Sequence, residues 1–133
     1  MQAYLEKPVI DCPDPRSLAA FYARLLAMEV LEDSVDWVVL GRAPGMRELA
    51  FQRADPWTPP VWPDPSRPLV HLDLRVDDVE AAEQAALAAG ATRAPGTPEH
   101  GWRVFRDPVG HVFCFVFGPS ARQDPRIGFD TTV

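Results

Sequence analysis

"LVHLDLRVDDVEAAEQAALAAGA", Leu69 to Ala91, changes its period partway along. Val70, Leu72, Leu74 and Val76 alternate with His71, Asp73, Arg75 and Asp77, the pattern of a strand with one apolar and one polar face. The spacing then turns helical. Asp77 and Glu80 are placed as a capping box, and Gly90 is placed as a stop. A strand feeding a helix follows, with a histidine opening the polar face of the strand. That face meets either solvent or a pocket, and the choice between them bears on function.

The same order stands earlier in the chain. "KPVIDC" reads as a strand and "DPRSLAAFYARLLAMEV" as a helix, with Asp14 as its cap, Pro15 at the first helical position, and Leu18, Tyr22, Leu25 and Leu26 as an apolar stripe. Strands follow around "MEVLEDS", "DWVVLGR" and "RELAFQR"; after the second helix come "HGWRVFRDP" and "HVFCFVFG", joined by the type I turn "DPVG", Asp107 to Gly110. Asp14 and Asp78 stand 64 positions apart, and the same offset sets Lys7 against His71. Internal duplication accounts for this. One half alone would leave a sheet face uncovered, so the halves are expected to pack or curl around a shared concavity into which His71 points.

Between the halves lies "DPWTPPVWPDPSRP", Asp55 to Pro68, which carries six of the fifteen prolines. Proline lacks the amide donor that helix interiors and central strands need, so this segment reads as a linker. The organisation is a single domain made of a module at 5–54, the linker at 55–68, a second module at 69–118 and a tail at 119–133.

A chain of 133 residues, 47% hydrophobic, suffices for one core or two fused small ones. The net charge of −6 and the lack of any Lys/Arg run argue against nucleic acid or an anionic membrane as partner. No apolar run is long enough to span a bilayer, and "MQAYLEKPVI" lacks the features of a signal peptide, so a cytoplasmic setting is expected. Cys12 and Cys114 form neither a disulfide framework nor a CxxC pattern, and are expected to be reduced and buried.

The residues resemble the vicinal oxygen chelate superfamily of glyoxalase, bleomycin-resistance and extradiol-dioxygenase proteins. "DPRSLAAFYARLLAM" is similar to that family's Asp, six residues, Phe-Tyr signature, with Ala27 where the helix usually ends in glycine; "LAFQR", "VHLDLRVDD" and "DPVGHVFCFV" follow in order. The resemblance implies an α+β fold of two tandem βαβββ modules with curled mixed sheets, and a homodimer. In metal-dependent members, His and Glu at four equivalent strand positions bind one divalent ion. Here those positions hold Lys7, Ala50, His71 and Cys114. An ammonium has no lone pair to give and a methyl has nothing to offer, so a divalent site is short of donors.

The resulting expectation is a protein that binds a small organic molecule in a sheet-lined pocket without a cofactor. Lys7, Gln52, His71, Asp73, Trp102 and Cys114 are the expected pocket residues, with His71 as the candidate catalytic group should there be a reaction. Asp73 shares the face of His71 and could orient its imidazole. Trp57 and Trp62, in the linker, are candidates for a pocket mouth or a dimer contact, while Trp37 is expected in the first sheet. The alternative is a metal-dependent lyase, isomerase or dioxygenase of glyoxalase type, with a divalent ion on His71, Glu48 and Cys114. A structural or regulatory dimer with a self-filled concavity is the third possibility.

Overall fold

The computed structural model describes residues 2–64, 66–67, 69–94 and 101–118. The expected tail at 119–133, and His100, lie outside the described residues. The chain divides inside the proline-rich segment into two compact units, 1–59 and 60–133. Each is a four-stranded mixed sheet with one helix, so the expected α+β fold of two modules is the one observed.

In the first unit β1 (Val9–Cys12) leads to α1 (Pro15–Leu26), followed by β2 (Glu29–Asp33), β3 (Trp37–Gly41) and β4 (Leu49–Arg53). The sheet order is β1-β4-β3-β2, with β1 and β4 parallel and the other pairs antiparallel. The Asp14 carboxylate accepts from the Ser17 N–H, and Pro15 sits where its missing donor costs nothing. Leu18, Ala19, Phe21 and Tyr22 are buried, and Tyr22 stacks on Phe51 of β4 with ring centroids 5.7 Å apart. Ala27 ends the helix with φ 52° and ψ 42°, a conformation more easily taken by glycine.

The second unit repeats the plan with β5 (Leu72–Arg75), α2 (Val79–Ala88), β6 (Thr92–Arg93), β7 (Trp102–Arg106) and β8 (Val112–Val116), in the order β5-β8-β7-β6. Registers carry the duplication. Val9 pairs with Ala50 and Asp73 with Cys114, each partner 64 positions from its counterpart. Phe105, Phe113 and Phe115 form a mutually packed trio on one face, with centroids 5.0 to 5.5 Å apart. Arg103 shares that face by register, and its guanidinium meets Glu80 at 2.7 Å and Glu83 at 3.6 Å, both on α2. The helix therefore covers the phenylalanine face and leaves the other face of the sheet for a different use.

Three local expectations need correction. The cap of α2 is Asp78, whose carboxylate accepts from the Ala81 N–H at 3.1 Å; Asp77 instead pairs with Arg75, and Glu80 reaches Arg103. The capping box fails because the helix begins one residue later than its spacing implied. Val70 is 96% exposed, since ladder pairing starts only at Leu72. The short β6 was not foreseen. The "DPVG" turn is closed by Gly110 N–H donating to the Asp107 carbonyl, and the buried Asp107 carboxylate accepts from the Val109 and His111 amides.

Candidate functional site

Strand alternation sorts the second sheet into two faces. Away from the phenylalanine trio, the register aligns Asp73 with Cys114, Cys114 with Val104, and Val116 with Trp102. His71, one residue before β5, continues the Asp73 row. Trp62, from the proline-rich segment, packs against Ala94, Val104, Val112 and Cys114, and its carbonyl accepts from the Arg106 guanidinium at 2.8 Å. Trp62, His71, Asp73, Gly101, Trp102, Val104, Cys114 and Val116 line a hollow of about 390 Å³. That size suits a small organic molecule.

The polar end of this hollow is a linked trio. His71 Nε2 lies 3.2 Å from Asp73 Oδ1, so the carboxylate holds one ring nitrogen and leaves the other to face a ligand. Burial, and then the neighbouring Asp73 charge and its hydrogen bond, push the Cys114 thiol up to about 11. The sulfur is thus a neutral S–H donor at physiological pH and a poor nucleophile. His71 oriented by Asp73 can accept or donate a proton or a hydrogen bond.

The sequence-predicted residues fall into two groups. His71, Asp73, Trp102 and Cys114 come together in the second unit's hollow. Lys7 and Gln52 belong to the first unit. There Gln52 lines an open depression with Asp36, Trp37, Arg53 and Asp55, in which Arg53 is already paired with both aspartates. The Lys7 side chain is only 6% exposed; its ammonium lies 3.2 Å from Glu6 and 5.8 Å from the centroid of Trp37. Trp62, read from the sequence as a candidate for a pocket mouth, lines the hollow; Val116 and Val104 are the walls that the sequence reading did not name. Alternation along β7, with Trp102 and Val104 on one face, was the signal available for the second of these.

The donor set for a metal can be tested directly. Ala50 has no donor atom, and the Lys7 ammonium is engaged with a carboxylate and an aromatic face. The Glu48 carboxylate is gripped by Arg42 through its guanidinium, at 2.7 Å, and its backbone N–H, at 2.9 Å. Beside His71 and Cys114 the carboxylate is Asp73, and one ligating atom from each of the three lies within 4.8 Å of the others. Four-position ligation does not fit this chain; a three-donor set of nitrogen, oxygen and sulfur does.

Comparison with known proteins follows the same line. Residues 7–116 match the family model described as a glyoxalase-like domain. No curated protein gives a significant match. Among solved structures, a glyoxalase/bleomycin resistance protein/dioxygenase family enzyme from Burkholderia phytofirmans PsJN superposes with a TM-score of 0.68 at 22% identity, covering 86% of this chain and 98% of that one. The fosfomycin resistance protein FosX from Listeria monocytogenes gives 0.66 at 17% identity, covering 90% and 96%. A glyoxylase/bleomycin resistance protein/dioxygenase domain from Frankia sp. EAN1pec gives 0.63 at 19%, covering 90% and 94%. At these identities the likeness concerns the fold. Among the described residues no helix is long and apolar enough to cross a membrane.

Proposed function

We propose a function from one premise: the chain belongs to the glyoxalase-like domain family. Its second unit binds a small organic molecule in the hollow walled by Trp62 and Trp102, and does so without a metal. The observation that carries this reading is the make-up of the hollow, with aromatic and valine walls and a few polar groups gathered at one end. Such a distribution gives affinity from the walls and orientation from the polar end. His71 and Asp73 supply a hydrogen-bond pair, and the Cys114 thiol adds a weak donor. The homodimer, the cytoplasmic setting and the absence of a nucleic-acid partner belong to the same proposal; sedimentation velocity tests the first.

A thermal-shift screen of small aromatic and heterocyclic compounds tests the proposal, since a ligand that binds only the folded state must raise the melting temperature. Supporting compounds raise it in the wild type and lose the effect in Trp102→Ala. A screen without any such compound overturns the reading.

A second reading is favoured by the proximity of His71, Asp73 and Cys114. These residues would hold one divalent ion, which when bound supplies Lewis-acid polarisation of a ligand oxygen. The thiol must give up its proton to ligate, and its raised pKa sets metal binding against a proton at neutral pH. Elemental analysis of untagged protein, purified without chelator and dialysed against trace divalent ions, separates the two. Metal well below one equivalent supports the first reading; a stoichiometric ion, lost in Asp73→Ala, supports the second.

A further inference from the structure

We infer that the hollow of the second unit takes an organic cation, its ammonium over the Trp102 ring and against the Asp73 carboxylate. The inference rests on the small-molecule reading above and names the ligand class. It comes from comparing the two units position by position.

Trp37 pairs with Gln52, and Trp102 pairs with Val116; Gln52 and Val116 are duplicates by the 64-residue offset, so the two tryptophans hold the same place in their sheets. Lys7 holds the place of His71 by the same offset. In the first unit that tryptophan is served by the chain's own cation. The Lys7 ammonium, nearly buried, sits 5.8 Å from the Trp37 centroid and 3.2 Å from the Glu6 carboxylate, and the Trp37 indole N–H donates to Glu32. An aromatic face, an ammonium and carboxylates complete one another there.

The second unit keeps the aromatic face, has no lysine, and brings a carboxylate of its own at a different position. Trp102 is 41% exposed, and Asp73 stands where the first unit has Val9. His71 replaces the lysine with a shorter side chain that carries no ammonium. The described arginines of this unit are engaged elsewhere: Arg67 with Asp64, Arg75 with Asp77, Arg93 with Glu83, Arg103 with Glu80, and Arg106 with the Trp62 carbonyl. Asp73 is the one carboxylate among the described residues lining the hollow. An ammonium carried by a ligand would meet there the same kinds of group that Lys7 meets in the first unit, an indole face and a carboxylate, with His71 3.2 Å from that carboxylate. Its apolar body has Trp62, Val104 and Val116 to lie against.

Calorimetric titration of the full chain with three benzyl compounds tests this: benzyltrimethylammonium, benzyl alcohol and phenylacetate. The expected order is the ammonium tightest, by about tenfold over the alcohol, and the carboxylate weakest. Asp73→Asn is expected to reduce the preference for the ammonium by about threefold to fivefold, because an exposed carboxylate contributes modestly. Trp102→Leu is expected to abolish the preference; should that variant melt early, Trp102→Phe keeps a weaker π face and is expected to give an intermediate affinity. Equal binding of ammonium and alcohol, unchanged in Asp73→Asn, overturns the cation inference and leaves the small-molecule reading standing. Tightest binding of phenylacetate does the same. If none of the three binds, the cation inference falls, and the thermal-shift screen alone decides the broader reading.

Discussion

Asp73 and Cys114 are direct partners across the parallel β5–β8 pair, and the carboxylate adds to burial in pushing the thiol up to about 11. The pairing makes the cysteine inert and keeps the aspartate next to His71. It also makes stability depend on pH in the alkaline range. The folded thiol titrates near 11, above its ordinary 9.0, so its contribution is complete below about pH 9 and is lost as pH rises through 11. Urea unfolding in a Cys12→Ala background is expected to show this decline between pH 9 and 11, and Cys114→Ala to remove it. Alkylation of Cys114 by iodoacetamide is expected to be slow at pH 8 and faster in Asp73→Asn.

Ala27 sits at φ 52°, where a β-carbon is strained and glycine is not. Ala27→Gly is expected to stabilise the first unit by about 0.5–1 kcal/mol, the relief of strain exceeding the extra entropy of glycine in the unfolded chain. Thermal denaturation reads this as a rise of a few degrees. A fall in melting temperature would count against the left-handed cap.

Gly41 closes β3 under the loop that carries Met46. A β-carbon there would lie 1.7 Å from the Met46 carbonyl oxygen, a backbone atom that cannot swing aside. Gly41→Ala is expected to cost about 3 kcal/mol or more, since overpacking against backbone forces the loop to move. Because Arg42 and Glu48 join the two ends of this loop, their ion pair should loosen as well.

Arg103 is 7% exposed and joins β7 to α2 through Glu80 and the half-buried Glu83, which Arg93 also contacts. Arg103→Ala leaves Glu83 with one cation where it had two and exposes the phenylalanine face. A loss of about 2–4 kcal/mol is expected in denaturant unfolding. Arg103→Met keeps the covering stem and is expected to cost less.

Much of the architecture was legible because it is written locally. Asp14-Pro15 starts a helix by its own chemistry, Gly90 stops one with φ 109°, and alternation marks the long strands. The 64-residue offset between Asp14 and Asp78 carried the duplication before any coordinate did. Short or shared features were harder. Thr92–Arg93 is too brief to show a period, and adjacent Asp77 and Asp78 offer two caps that only the position of the Ala81 amide separates.

Of the site, the row from His71 through Asp73 was visible, because the alternation of β5 runs back through the residue before it. Its neighbours were less so. That Asp73 stands beside Cys114 follows from the register of β5 on β8, a pairing of strands distant in sequence that no single strand pattern announces. Trp62 comes from a proline-rich stretch without a period, so composition could suggest a pocket wall without saying which one.

The four tryptophan indole N–H groups give the most direct test of the account. Titration of uniformly ¹⁵N-labelled protein with benzyltrimethylammonium, and separately with benzyl alcohol, can be followed at each indole signal, assigned by single Trp→Phe variants. The account predicts that the signals of Trp62 and Trp102 move together with increasing ligand while that of Trp37, already covered by Lys7, stays in place. Movement of Trp37 with Trp62 and Trp102 unmoved would contradict it, as would titrations that shift none of the four.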